Sequence, residues 1–110
     1  MRHDYNKLVR DRIPEIIRES GKECAVEVIP KAEYRQALLE KLIEEAHEAR
    51  QAAPEDLLTE LADIQEVIKA ILKALEISPE QVGQVQTQHH VERGGFEKRL
   101  KLLWTEDRDD

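Results

Sequence analysis

Apolar residues recur every three or four positions through two long stretches of the chain. In the first, Tyr34, Leu38, Leu39, Leu42, Ile43 and Ala46 share one side of a helix that turns about 100° per residue. In the second, Leu57, Leu58, Leu61, Ile64, Val67, Ile68, Ile71 and Leu75 form an arc wider than half the circumference, and Pro54 separates the two. The pattern predicts helices over about 32–52 and 55–76, folded into an antiparallel hairpin on a short loop. Ser78-Pro79-Glu80 starts a third helix, about 78–93, with Ser as N-cap and Pro at the first helical position, and Gly94-Gly95 stops it. Residues 14–19 suit a short helix ended by Gly21. Two stretches alternate instead. Cys24, Val26 and Val28 interleave with Glu23, Ala25 and Glu27, and Phe96, Lys98, Leu100, Leu102 and Trp104 fall on one side of the tail. These predict short strands at 23–29 and 96–104, able to pair with each other.

The expected fold is therefore mostly α, a single domain over 1–110. Its hairpin and third helix belong to a helical bundle, and helix 55–76 carries more apolar surface than one-sided packing needs. The bundle is accordingly expected to be oligomeric, a homodimer or larger.

Length and composition narrow the chemistry. A chain of 110 residues buries only about two thirds of the surface it exposes unfolded, so the core is modest. No apolar run spans a bilayer and no secretory leader is visible, which predicts a cytoplasmic protein with no membrane partner. Cys24 is the single cysteine, so a metal would be held by oxygen or imidazole. With 24 Asp and Glu against 17 Lys and Arg, the charge balance opposes an extended nucleic-acid interface. Arg2, Lys7, Arg10, Arg12 and Arg18 nevertheless crowd the first eighteen positions, where an anionic small molecule could meet them.

Four acids interrupt the apolar faces of the hairpin. Glu45 projects into the arc of the first helix beside Leu38, and Glu48 lies at its edge. On the second helix Glu60 falls between Val67 and Ile71, with Asp63 just beyond Val67. Carboxylates are rare on buried faces unless paired. Glu48 and Glu60 each stand six positions from Pro54, and Glu45 and Asp63 each stand nine. Equal distances from the turn mean equal heights, so Glu48 should face Glu60 and Glu45 should face Asp63, about 9 to 14 Å above the loop. Four like charges at one level need a cation, and Lys41 alone does not offset them. An oxygen-only cluster suits Mg²⁺, or Mn²⁺ in its place, before Zn²⁺. The opposing possibility is a solvated face, since acids at spacing three are common in a Glu-rich chain.

Glu44-Glu45-Ala46-His47-Glu48 followed by Glu60-Leu61-Ala62-Asp63 resembles the E-E-x-x-E and E-x-x-D pair of the MazG-like all-α nucleoside triphosphate pyrophosphohydrolases, relatives of phosphoribosyl-ATP pyrophosphohydrolase and the dimeric dUTPases. Tyr5-Asn6-Lys7-Leu8-Val9-Arg10-Asp11-Arg12-Ile13-Pro14-Glu15-Ile16 and Arg93-Gly94-Gly95-Phe96 resemble the ends of a small, single-domain, house-cleaning branch of that superfamily. The resemblance implies hydrolysis between the α and β phosphates, giving a nucleoside monophosphate and pyrophosphate. It makes Glu45, Glu48, Glu60 and Asp63 the magnesium ligands, and it makes Glu44 and Glu45 catalytic, with Glu44 binding a second ion or orienting the attacking water.

A triphosphate needs more positive charge than one or two magnesium ions supply, which points to Lys7, Arg10, Arg12 and Arg93 as phosphate contacts. Against this, Lys7, Arg10 and Arg12 could pair with nearby Asp11 and Glu15, and Gly94 beside Arg93 could be a plain helix stop. His89 and His90 are adjacent and point apart, as solvated helix residues do. Phe96 and Trp104 are expected in the core. The alternatives are a noncatalytic metal-binding oligomerisation module and a pyrophosphohydrolase acting on a phosphoribosyl nucleotide.

Overall fold

The structure, a computed structural model, describes residues 1–108, and among these it is helical with no strand. Helix α1 spans Ile13–Glu19, α2 Lys31–Gln51, α3 Leu57–Ala74 and α4 Pro79–Arg93. A single 3₁₀ turn, Pro54–Asp56, joins α2 to α3. Two compact units divide the chain at Ile77 and Ser78.

Several helix ends follow a sequence signal. Pro14 sits in the first turn of α1, where its missing N–H is not needed. At the other end Gly21 (φ +89°) lets Lys22 N–H reach the Ile17 carbonyl and its own N–H reach that of Arg18, the paired bonds that close a helix C-terminus. Helix α3 ends the same way, through Ile77 N–H to Leu72 and Glu76 N–H to Lys73, but Glu76 occupies the left-handed position (φ +56°). In the C-terminal unit, the Ser78 hydroxyl accepts from Gln81 N–H at 3.1 Å and the Gln81 side chain accepts from Ser78 N–H at 2.8 Å. This reciprocal box starts α4, and Gly94 (φ +82°) ends it.

In the first unit α2 packs against α3. The seam follows the period of the helix. Tyr34, Leu38, Leu42 and Glu45 on α2, and Glu60, Ile64, Val67 and Ile71 on α3, are among its sheltered positions. Leu38 and Val67 are the buried apolar residues, and Glu45 is the buried charged one. The loop end of the seam thus holds carboxylates where leucine or isoleucine would pack.

Both expected strands are absent. An alternating stretch becomes a strand only where a second edge takes its backbone hydrogen bonds, and residues 23–29 form no such ladder; the Cys24 carbonyl accepts from the Arg18 guanidinium at 3.5 Å instead. In the tail, Arg99 N–H bonds the Phe96 carbonyl at 3.1 Å with Arg99 at φ +57°, and that turn breaks the alternation. Phe96 and Trp104, expected in the core, are 97% and 73% exposed.

Candidate metal centre

Glu45 lies about four turns into α2, on the side turned to α3, and Glu60 and Asp63 come from the first two turns of α3. Each of the three offers one oxygen, and these oxygens all lie within 4.8 Å of one another. Glu45 is 8% exposed, while Glu60 and Asp63 are half-buried. The group is a sheltered acidic triad able to hold a metal ion.

Among the described residues, Glu45 and Glu60 are less fully compensated than Asp63, which pairs with Arg10. Removal from water pushes the Glu45 carboxyl above its ordinary range, and the charges of Glu48 and Asp63 add to the push while Lys41 opposes it. Glu60 is raised for the same first reason, then by Glu48 and Asp63. One oxygen of each, Oε2 of Glu45 and Oε2 of Glu60, is buried and accepts no hydrogen bond. A buried acceptor left unpaired costs about 1–3 kcal/mol, more when charged. A hard divalent cation is the partner that an all-oxygen set of this kind fits.

Glu48 is exposed and outside the three converging oxygens, yet it stands close enough to Glu45 and Glu60 to raise both through its charge and through side-chain hydrogen bonding. Three residues on from Glu45, it is turned about 60° off the seam. Of the four acids expected at one level, three converge as a triad, and Glu48, expected at the edge of the arc, lies exposed beside them.

Basic groups surround this cluster. Lys7 Nζ lies 2.9 Å from Glu44 Oε1, and Lys41 Nζ lies 3.4 Å from Glu44 Oε2 and 3.8 Å from Glu45 Oε1. The hydrogen bond from Lys7 holds the Glu44 carboxyl below its usual range, and Glu44 in turn raises Lys7. Arg10 Nη2 lies 2.7 Å from Asp63 Oδ1. Lys7 and Arg10 thus meet acids of the hairpin and not their sequence neighbours. Arg12 does the opposite, pairing with Glu15 at 3.1 Å on the exposed face of α1. Arg93 ends α4 in the C-terminal unit, exposed. Beside the triad, Glu48, Gln51, Ala52, Asp56, Thr59 and Glu60 line an open depression of about 340 Å³ at the hairpin turn. Gln51 and Thr59 carry no motif, and only their position next to Glu48 and Glu60 brings them to the site.

No known family model and no solved structure matches the chain. A protein of Mycolicibacterium smegmatis (strain ATCC 700084 / mc(2)155), described as uncharacterized, is 46% identical over 54 residues, covering 49% of this chain and 55% of that protein. The chain spans about half the length of the curated relative it matches. Among the described residues no helix is long and apolar enough to cross a membrane.

Proposed function

We propose that the protein is a magnesium-dependent, MazG-like nucleoside triphosphate pyrophosphohydrolase of the cytosol, cleaving the α–β phosphoanhydride of a nucleotide to give a monophosphate and pyrophosphate. The observation that carries this reading is the pair of unpartnered, buried oxygens on Glu45 and Glu60, converging with Asp63 at the hairpin seam. Glu45, Glu60 and Asp63, with Glu48 at the rim, would hold Mg²⁺, or Mn²⁺ in its place. When bound, such an ion neutralises phosphate oxygens and lowers the pKa of a water molecule.

The chain's own residues supply the rest. Glu44 stays ionised under Lys7 and Lys41, and a carboxylate with a lowered pKa is a weak base. It suits the role of accepting a hydrogen bond from the attacking water and fixing its direction. Lys7 and Arg10, already at the cluster, are the cations placed to meet phosphate oxygens. Arg12 would have to leave its exposed pair with Glu15 to join them. The depression lined by Gln51 and Thr59 adjoins the acids and would seat the nucleoside.

A panel of ordinary, deaminated, oxidised and phosphoribosyl nucleotides, assayed for pyrophosphate with Mg²⁺ and with EDTA, tests the proposal. Metal-dependent release from at least one is expected. If none is turned over, the hydrolase reading fails, and the second reading, a self-associating helical module, gains. One observation favours self-association under either reading. Leu58, Leu61 and Ile43 are 81%, 51% and 60% exposed on helices whose seam buries little beyond Leu38 and Val67. We infer from this a homodimer or larger assembly.

A further inference from the structure

Residues 1–12 precede α1 without forming a helix or strand, yet two of their side chains reach acids of the hairpin. Lys7 holds Glu44 on α2 and Arg10 holds Asp63 on α3, so one short strap bridges both helices. Asn6 takes a left-handed conformation (φ +49°), which Asn tolerates better than most residues, and turns the chain immediately before Lys7.

The two contacts differ in kind. Glu44 lies outside the three carboxylates whose oxygens converge, and it is shared with Lys41. Asp63 belongs to the triad, and Arg10 is its hydrogen-bond partner. A guanidinium and a divalent cation on one carboxylate repel each other, and that repulsion exceeds what a half-exposed ion pair contributes. The structure also leaves Oε2 of Glu45 and Oε2 of Glu60 unpartnered, so Arg10 compensates the triad only at Asp63. An ion able to engage all three acids has the advantage.

Resting on the metal-site reading above, we infer that Arg10 is a displaceable counter-ion. It neutralises Asp63 in the metal-free protein, a divalent cation drives it off, and Lys7 keeps the strap tethered at Glu44. The freed guanidinium then stays beside the cluster, available to the phosphate groups of an incoming anion. Metal and anion should consequently bind with positive coupling, each strengthening the other.

Arg10→Gln and Lys7→Gln each remove one positive charge next to the cluster, and comparing them separates displacement from a general field effect. In calorimetric titration with Mg²⁺, Arg10→Gln should bind roughly three to ten times more tightly than the parent, and Lys7→Gln no more than about twofold more tightly. NMR of the Arg10 guanidinium should show its resonances shifting on Mg²⁺ saturation and shifting again when inorganic pyrophosphate is added. Equal tightening in both variants, or guanidinium resonances that stay put while Mg²⁺ binds, would overturn the inference and leave the metal site standing. Absence of Mg²⁺ binding by the parent would overturn the metal site and this inference with it.

Discussion

Arg10 Nη2 stands 2.7 Å from Asp63 Oδ1, across 53 positions of sequence and from an irregular segment to the second turn of α3. With Lys7 on Glu44, 37 positions apart, it ties the N-terminus to the end of the hairpin where the acids gather. Five carboxylates, Glu44, Glu45, Glu48, Glu60 and Asp63, face three cations, Lys7, Arg10 and Lys41. The shortfall in positive charge motivates the first two expectations.

Without metal, repulsion among Glu45, Glu60 and Asp63 opposes the fold. Glu45→Gln or Asp63→Asn should leave the metal-free protein as stable as the parent or more so. The same variants should lose the stabilisation that Mg²⁺ gives the parent by mass action. Thermal melts with Mg²⁺ and with EDTA check this, and equal magnesium-induced shifts in parent and variants would end the case for the site.

The pH dependence of the metal-free protein follows from the raised carboxyls. Glu45 and Glu60 hold protons more tightly folded than unfolded, so the stability they lend is complete below the ordinary carboxyl value of 4.5 and is lost as pH rises through their folded values. Glu44, lowered by Lys7, acts in the opposite sense and loses its contribution as pH falls below 4.5. Urea denaturation in EDTA from pH 4 upward should therefore show Glu45→Gln gaining on the parent as pH rises. A constant difference across the range would contradict the assignment.

At the end of α3, Glu76 sits in a left-handed conformation that glycine adopts without steric cost. Glu76→Gly should stabilise the protein by about 1 kcal/mol, and Gly21→Ala, at φ +89° with open space around its Cα, should destabilise it by a similar amount. Denaturant midpoints of the two variants give both signs. A loss of stability in Glu76→Gly would mean that its side chain contributes something the backbone gain does not offset.

Self-association is expected to depend on the exposed apolar side of α3. Light scattering at micromolar concentration should return a multiple of the 12.8 kDa chain mass, and Leu58→Lys or Leu61→Lys should lower it. A parent that scatters as a single chain would refute the assembly.

Local patterns along the chain were enough to place its helices and their ends. The arcs led by Leu38 and Val67 placed α2 and α3, Ser78-Pro79 and Gly94 bounded α4, and the distances of Glu45 and Asp63 from Pro54 put the acids at one level of the hairpin. These features are set within a few residues by helical period, cap chemistry and rise, so one stretch of chain carries the whole signal. Contacts between distant segments settled what remained. They selected Glu45, Glu60 and Asp63 and left Glu48 at the rim. They sent Lys7 and Arg10 to the hairpin while Arg12 stayed with Glu15, although all three are cations of one short segment. They also gave the alternating stretches at 23–29 and 96–104 no ladder among the described residues. Each of these outcomes depends on which distant group competes for a charge or a backbone hydrogen bond, and that competition exists only once the chain has folded.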